Sequence, residues 1–176
     1  MKNLFALFAA CVTTASAYSS FVIPTLTAHQ PIGSGSTNFY LLSFDIKSDN
    51  SGNQRSAFCQ KSWGDNGWTR PLPYSLEVPT GQWIKCDSAR GTYDGASAFS
   101  FQLYPYFSIG NFSLSVKEDL REDVSVSGFR KINNGTEQFT CDINPAEVLP
   151  VQHAHGDCSI PEKAEPFQIS VSQAAA

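Results

Sequence analysis

Helical periodicity is what this chain of 176 residues most lacks: beyond the apolar N-terminal stretch, apolar recurrence at i, i+3, i+4 and i+7 is nearly absent. That absence excludes helical bundles and the α/β folds that alternate strands with helices. Charge is also sparse, at 16% Asp, Glu, Lys and Arg, and the twelve basic residues form no cluster. With a net charge of −4, the chain is a poor candidate for nucleic acid or an anionic membrane. No C-x-x-C spacing points to a zinc or redox thiol site. No G-x-S-x-G elbow places a serine nucleophile, and no motif specifies a pair of glycosidase carboxylates. After the first residues no apolar run is long enough to span a bilayer, and the tail 167–176 (FQISVSQAAA) is too polar for a lipid-anchor signal. The expectation is a soluble protein that is not an enzyme and holds no cofactor.

The N-terminus carries the first positive signal. Lys2 precedes a short apolar stretch, residues 4–12 (LFALFAACV), and Ala15-Ser16-Ala17 follows with the small residues that signal peptidase requires. A buried core helix is the ordinary alternative, but the position and the small-residue exit favour a signal peptide at 1–17. A single secreted domain at 18–176 follows. Cleavage removes Cys11 and leaves Cys59, Cys86, Cys141 and Cys158 for an oxidising compartment. Four cysteines allow three connectivities, of which pairing neighbours along the chain is the simplest. Asn111-Phe112-Ser113 and Asn134-Gly135-Thr136 are candidate glycosylation acceptors. Asn134 is the better of the two, because Asn-Gly marks a turn whereas Asn111 opens a strand.

Period-two alternation, bounded by Gly, Pro, Asn and Ser, recurs along the chain. It predicts strands at 39–47, 56–61, 82–87, 98–103, 112–117, 124–129, 137–143 and 167–171. Residues 124–129 and 137–143 flank Asn133-Asn134-Gly135 as a hairpin would. Serines opposite the aromatic stripes imply antiparallel sheets with one wetted side. The expected fold class is therefore all-β: a single compact antiparallel barrel or sandwich with two disulfides. Phe99, Phe101, Phe107, Phe112 and Phe139 read as core. Glu118, Asp119, Glu122 and Asp123 around Arg121 read as a solvated charged turn.

Residues 62–79 show no alternation and read as a long surface loop. There Trp63, Trp68 and Tyr74 are candidate contacts for a partner or a planar ligand, the alternative being a lid folded over one end of the domain. A second loop, 144–165, carries His153-Ala154-His155 and Asp157. Two histidines spaced i, i+2 share a face of an extended segment, but a metal needs a further ligand such as Asp157 or His29. Two solvated histidines beside a disulfide is the simpler reading, and no metal is expected.

The succession 39–47 (FYLLSFDIK), Phe58-Cys59, Trp83-Ile84-Lys85-Cys86, Phe99-Ser100-Phe101, 112–117 (FSLSVK) and Phe139-Thr140-Cys141 resembles the fungal secreted β-barrel family typified by the major allergen of Alternaria. The likeness covers 38–143 and leaves 144–176 as a C-terminal extension. It implies a secreted or wall-associated, allergen-like or effector protein, without firm enzymatic activity, that binds host extracellular or cell-wall components. It also implies a Cys59–Cys86 bridge. In that family the cysteine of the F-x-C strand pairs upstream, where this chain has Gly128-Phe129, so Cys158 is left as the partner of Cys141. The family's N-terminal cysteine, which links dimers, has no counterpart. A barrel that encloses a small apolar or phenolic ligand is the alternative function, and a secreted hydrolase a more distant one.

Overall fold

A computed structural model describes residues 20–30, 40–63, 81–136, 138–143, 156–161 and 163–175. Residues 1–17, expected to be a signal peptide, and Trp68, Tyr74, His153 and His155 lie outside the described residues. Eleven strands form, and among the described residues there is no helix: β1 Ser20–Gln30, β2 Tyr40–Ser48, β3 Arg55–Trp63, β4 Ile84–Lys85, β5 Phe99–Ser108, β6 Asn111–Arg121, β7 Val124–Asn133, β8 Thr140–Ile143, β9 Gly156–Ser159, β10 Phe167–Ser170 and β11 Gln173–Ala175. Among the described residues they build two antiparallel sheets and no closed barrel. The six-stranded sheet runs β3-β2-β1-β9-β8, with β10 also on β1, and the five-stranded sheet runs β11-β7-β6-β5-β4.

Alternation explains which residues meet between the sheets. Phe21, Ile23, Leu26, Leu42, Phe44 and Ile46 face inward from the first sheet, and Phe99, Phe101, Leu103, Leu114 and Val116 from the second. Aromatic edges join the layers: Phe21 meets Phe99 at 6.5 Å between centroids, and Phe44 meets Phe101 at 5.2 Å, both T-shaped. The two sheets are also tied covalently. Cys59 on β3 bonds Cys86 just after β4, and both are fully buried. Asp87 continues this seam by exchanging backbone hydrogen bonds with Phe58. Cys141 bonds Cys158 directly across the β8–β9 ladder. Both expected bridges are present, and they suit an oxidising, extracellular compartment. No helix among the described residues is long and apolar enough to cross a membrane.

Three expectations are corrected. Asn134-Gly135 does form a turn, with Gly135 at φ 81°, but it carries the chain from β7 in one sheet to β8 in the other and closes no hairpin. Phe107 is 69% exposed. Register shifts on either side of Tyr106 reverse the phase of β5, so Tyr106 turns toward Trp63 and Phe112 while Phe107 turns out. Glu118 and Asp119 lie in no turn: β6 runs on to Arg121, and its inward phase buries Glu118 completely. Strands outside 38–143 also build the sandwich. β1 lies inside the six-stranded sheet, and β10 contributes buried Phe167 and Ile169 to the core.

Candidate functional site

The inner face of β6 carries one carboxylate among apolar neighbours. Glu118 Oε2 accepts hydrogen bonds from Ser48 Oγ at 2.6 Å and Asn50 Nδ2 at 3.4 Å, so the β2–β3 turn of one sheet is fastened to the other. Oε1 has no hydrogen-bond donor and lies 3.7 Å from Arg55 Nη1, which donates instead to the Asp119 carbonyl at 3.1 Å. Every partner of Glu118 is thus a residue that closes this end of the sandwich. The group is structural.

The outward phase of the five-stranded sheet is different. Of the five exposed large apolar side chains among the described residues, Trp83, Tyr104, Phe107 and Phe129 belong to its outer surface; Tyr93 stands apart in the loop after Cys86. The register sets their spacing. Phe129 lies opposite Ser115, Ser115 opposite Gln102, and one further step of the Ile84–Phe101 register brings Trp83 beside Gln102. One row across the sheet therefore reads Trp83, Gln102, Ser115, Phe129. With strands about 4.8 Å apart, its two aromatic ends are about 14 Å from each other over a floor of hydroxyl and amide groups.

Lysines border this row on both sides. The adjoining row reads Lys85, Ser100, Lys117, Ser127, and on the far side Lys131 lies opposite Ser113. Lys117 Nζ lies 5.7 Å from the Trp83 ring centroid, within cation–π range. Asp119 contacts Lys85 at 2.8 Å and Lys117 at 3.3 Å. Partial burial pushes its carboxyl up, but the hydrogen bonds and charges of both lysines outweigh that and hold it below the usual carboxylate range.

The residues singled out from sequence are distributed otherwise. Trp63 is a core residue, 8% exposed at the end of β3, stacked on Tyr40 and edge-on to Tyr106, with both centroids 5.6 Å away. Tyr106 itself is pushed well above the ordinary phenol range by burial. Asn111 opens β6 with a buried, unpartnered side-chain oxygen, whereas Asn134 is exposed and its Oδ1 accepts from the Cys141 amide at 3.1 Å. His29 Nδ1 and Asp157 Oδ1 meet at 2.7 Å. Among the described residues no three His, Cys, Asp or Glu side chains are placed to hold a metal.

A recess of about 280 Å³ over β2 and β3 is lined by Asp45, Lys47, Ser88 and Arg90, among others. Pro24, Ala57 and Phe58 share its wall with the Asp45–Arg90 ion pair at 2.9 Å, so apolar and charged groups meet there. The outer aromatic row was missed because exposed and buried aromatics alternate with the same small polar residues in sequence. The usable signal was Phe129, which sits out of phase with Val126 and Ile132 on β7. No family model, curated protein or solved structure matches this chain.

Proposed function

We propose that this is a secreted, non-enzymatic binding protein of the fungal allergen and effector type, attaching to a host extracellular or cell-wall component through the outer face of its five-stranded sheet. The observation that carries the reading is the gathering of Trp83, Tyr104, Phe107 and Phe129 on that one surface. Single exposed apolar residues are ordinary on a protein surface, but four large rings spaced over one polar-floored sheet face offer several anchors to one extended partner. The N-terminal signal, the paired cysteines and the resemblance over 38–143 support the secreted, effector-type setting.

The test is depletion of the purified mature protein by insoluble wall material and by host apoplastic extract. Wild type should be retained by at least one. Tyr104→Ser/Phe129→Ser should lose at least tenfold in retention with an unchanged melting temperature, because both rings are solvent-exposed. Retention of neither protein by either material would end the proposal.

A further inference from the structure

We infer that the ligand of this face is an acidic polysaccharide, a polymer of uronate-type sugars whose ring faces lie on Trp83 and Phe129 and whose carboxylates meet Lys117 and Lys131. This rests on the binding role proposed above and names its chemistry. A pyranose presents an apolar C–H face and a polar rim, so it matches an aromatic ring beside hydroxyl and amide groups. The row Trp83, Gln102, Ser115, Phe129 supplies both in a line across three strand gaps. Two rings about 14 Å apart suit an extended chain that crosses the strands, not a compact small molecule.

Charge selects among polysaccharides. The whole chain is acidic, at −4, yet among the described residues this face carries Lys85, Lys117 and Lys131 against Asp119 alone. Glu118 of β6 points to the inner side and bonds Ser48 and Asn50. On the outer side the next acids of β6 and its turn, Glu122 and Asp123, lie roughly 20 Å along the strand from the Phe129 row, given 3.4 Å per residue. That exceeds the screening length of ~8 Å at physiological ionic strength, so the local field over the aromatic row is positive. Lys117 already stands over Trp83, which puts a cation where a stacked sugar would bring its carboxylate. Lys131 is exposed two residues beyond Phe129 on the same face. Asp119 is shared between Lys85 and Lys117, so the three lysines of this face keep a net positive charge that a neutral glucan would not meet.

The experiment compares retention of the mature protein on polygalacturonate, on the same polymer after methyl esterification, on a neutral β-glucan and on chitin, with single-stranded RNA as a competitor. Esterification removes the charge and keeps the sugar ring. Wild type should bind polygalacturonate, lose at least tenfold on the ester and weaken as salt is raised. Lys131→Gln should weaken binding to polygalacturonate severalfold without changing binding to the ester, while Phe129→Ser should weaken both.

Equal binding to the charged and esterified polymers, preference for neutral glucan or chitin, or displacement by RNA at comparable concentration would each overturn the inference. If the isolated polysaccharides fail but wall material or host extract still retains wild type and not Tyr104→Ser/Phe129→Ser, the ligand is of another class and the binding role stands. Failure with every material removes both.

Discussion

Glu118 shows how a single residue can fix the geometry of two layers. Its carboxylate is fully buried, and it satisfies Ser48 and Asn50 from the opposite sheet while Arg55 stands 3.7 Å away at the rim. Glu118→Ala strands those donors, and hydrogen bonds to a charged acceptor are worth about 1.5–3 kcal/mol. Arg55 is partly solvated, so its share is small. The expected loss is about 2–3 kcal/mol in urea unfolding. A change under 0.5 kcal/mol would show that the buried oxygen is compensated by other contacts.

Asp94 makes the matching case on the surface. Its carboxylate accepts hydrogen bonds from the Ser88 side chain first, then from the Ser88 and Ala96 amides, and its pKa is held down at about 2. A folded pKa below the unfolded one contributes order that is fully present above the unfolded value, near 3.9, and is lost as pH falls through about 2. Carboxyl NMR titration should therefore place Asp94 well below the other exposed acids, with loop resonances of residues 88–96 shifting in the same step. An ordinary midpoint near 4 would contradict the turn.

At the scale of elements, strands with unbroken alternation were legible. The stripe on β2 and the Phe99–Phe101–Leu103 and Phe112–Leu114–Val116 stripes all fall where period two places them, and both disulfides follow from neighbouring cysteines. What hid the remaining strands was a change of phase or a want of side chains. In β1, Phe21 and Ile23 face the core, then Leu26 and Ala28, because a register shift between Val22 and Thr25 accommodates Pro24. Two half-patterns offset by one residue look like no strand at all. β9 and β11 carry almost no apolar pattern and are held by backbone pairing to β1, β8 and β7. The aromatic row was illegible for a related reason: alternation states that two faces differ, but not which one meets water.

The disulfides differ in what they join. Cys59–Cys86 links the two sheets at a buried seam, whereas Cys141–Cys158 staples two short neighbouring strands. Cys59→Ser should cost roughly 2–5 kcal/mol, the usual loss for a native bridge, and leave Cys86 as a titratable thiol on denaturation. Cys158→Ser should cost less and chiefly loosen β8 and β9. The reverse order in paired thermal melts would show that the staple, not the seam, governs the domain.

On the scale of the whole molecule, the two sheets depend on chain ends that lie far from the alternating middle of the sequence. β10 pairs with β1 and inserts Phe167 and Ile169 into the core; two residues on, β11 joins the opposite sheet beside β7. The crossing is tight. A Cβ on Gly128 would lie 2.3 Å from the Ser170 carbonyl oxygen, so β7 must be bare where β10 passes. Arg130 clamps the same crossing, with its guanidinium 4.8 Å from the Phe167 ring centroid and a hydrogen bond to the Gln168 carbonyl. Removing residues 167–176 exposes the space that two large apolar side chains fill, each worth roughly 1.5–3 kcal/mol of burial, and it uncovers the edge of β7. That sum is a large part of the 5–15 kcal/mol by which a domain is ordinarily stable. The truncated protein should therefore lose its cooperative melt and near-ultraviolet aromatic signal, although residues 38–143 remain intact. Gly128→Val should weaken the same crossing in the full-length chain, through overpacking against backbone, by at least 1–3 kcal/mol. A truncated protein that melts within a few degrees of wild type would mean that the tail covers the sandwich without helping to build it.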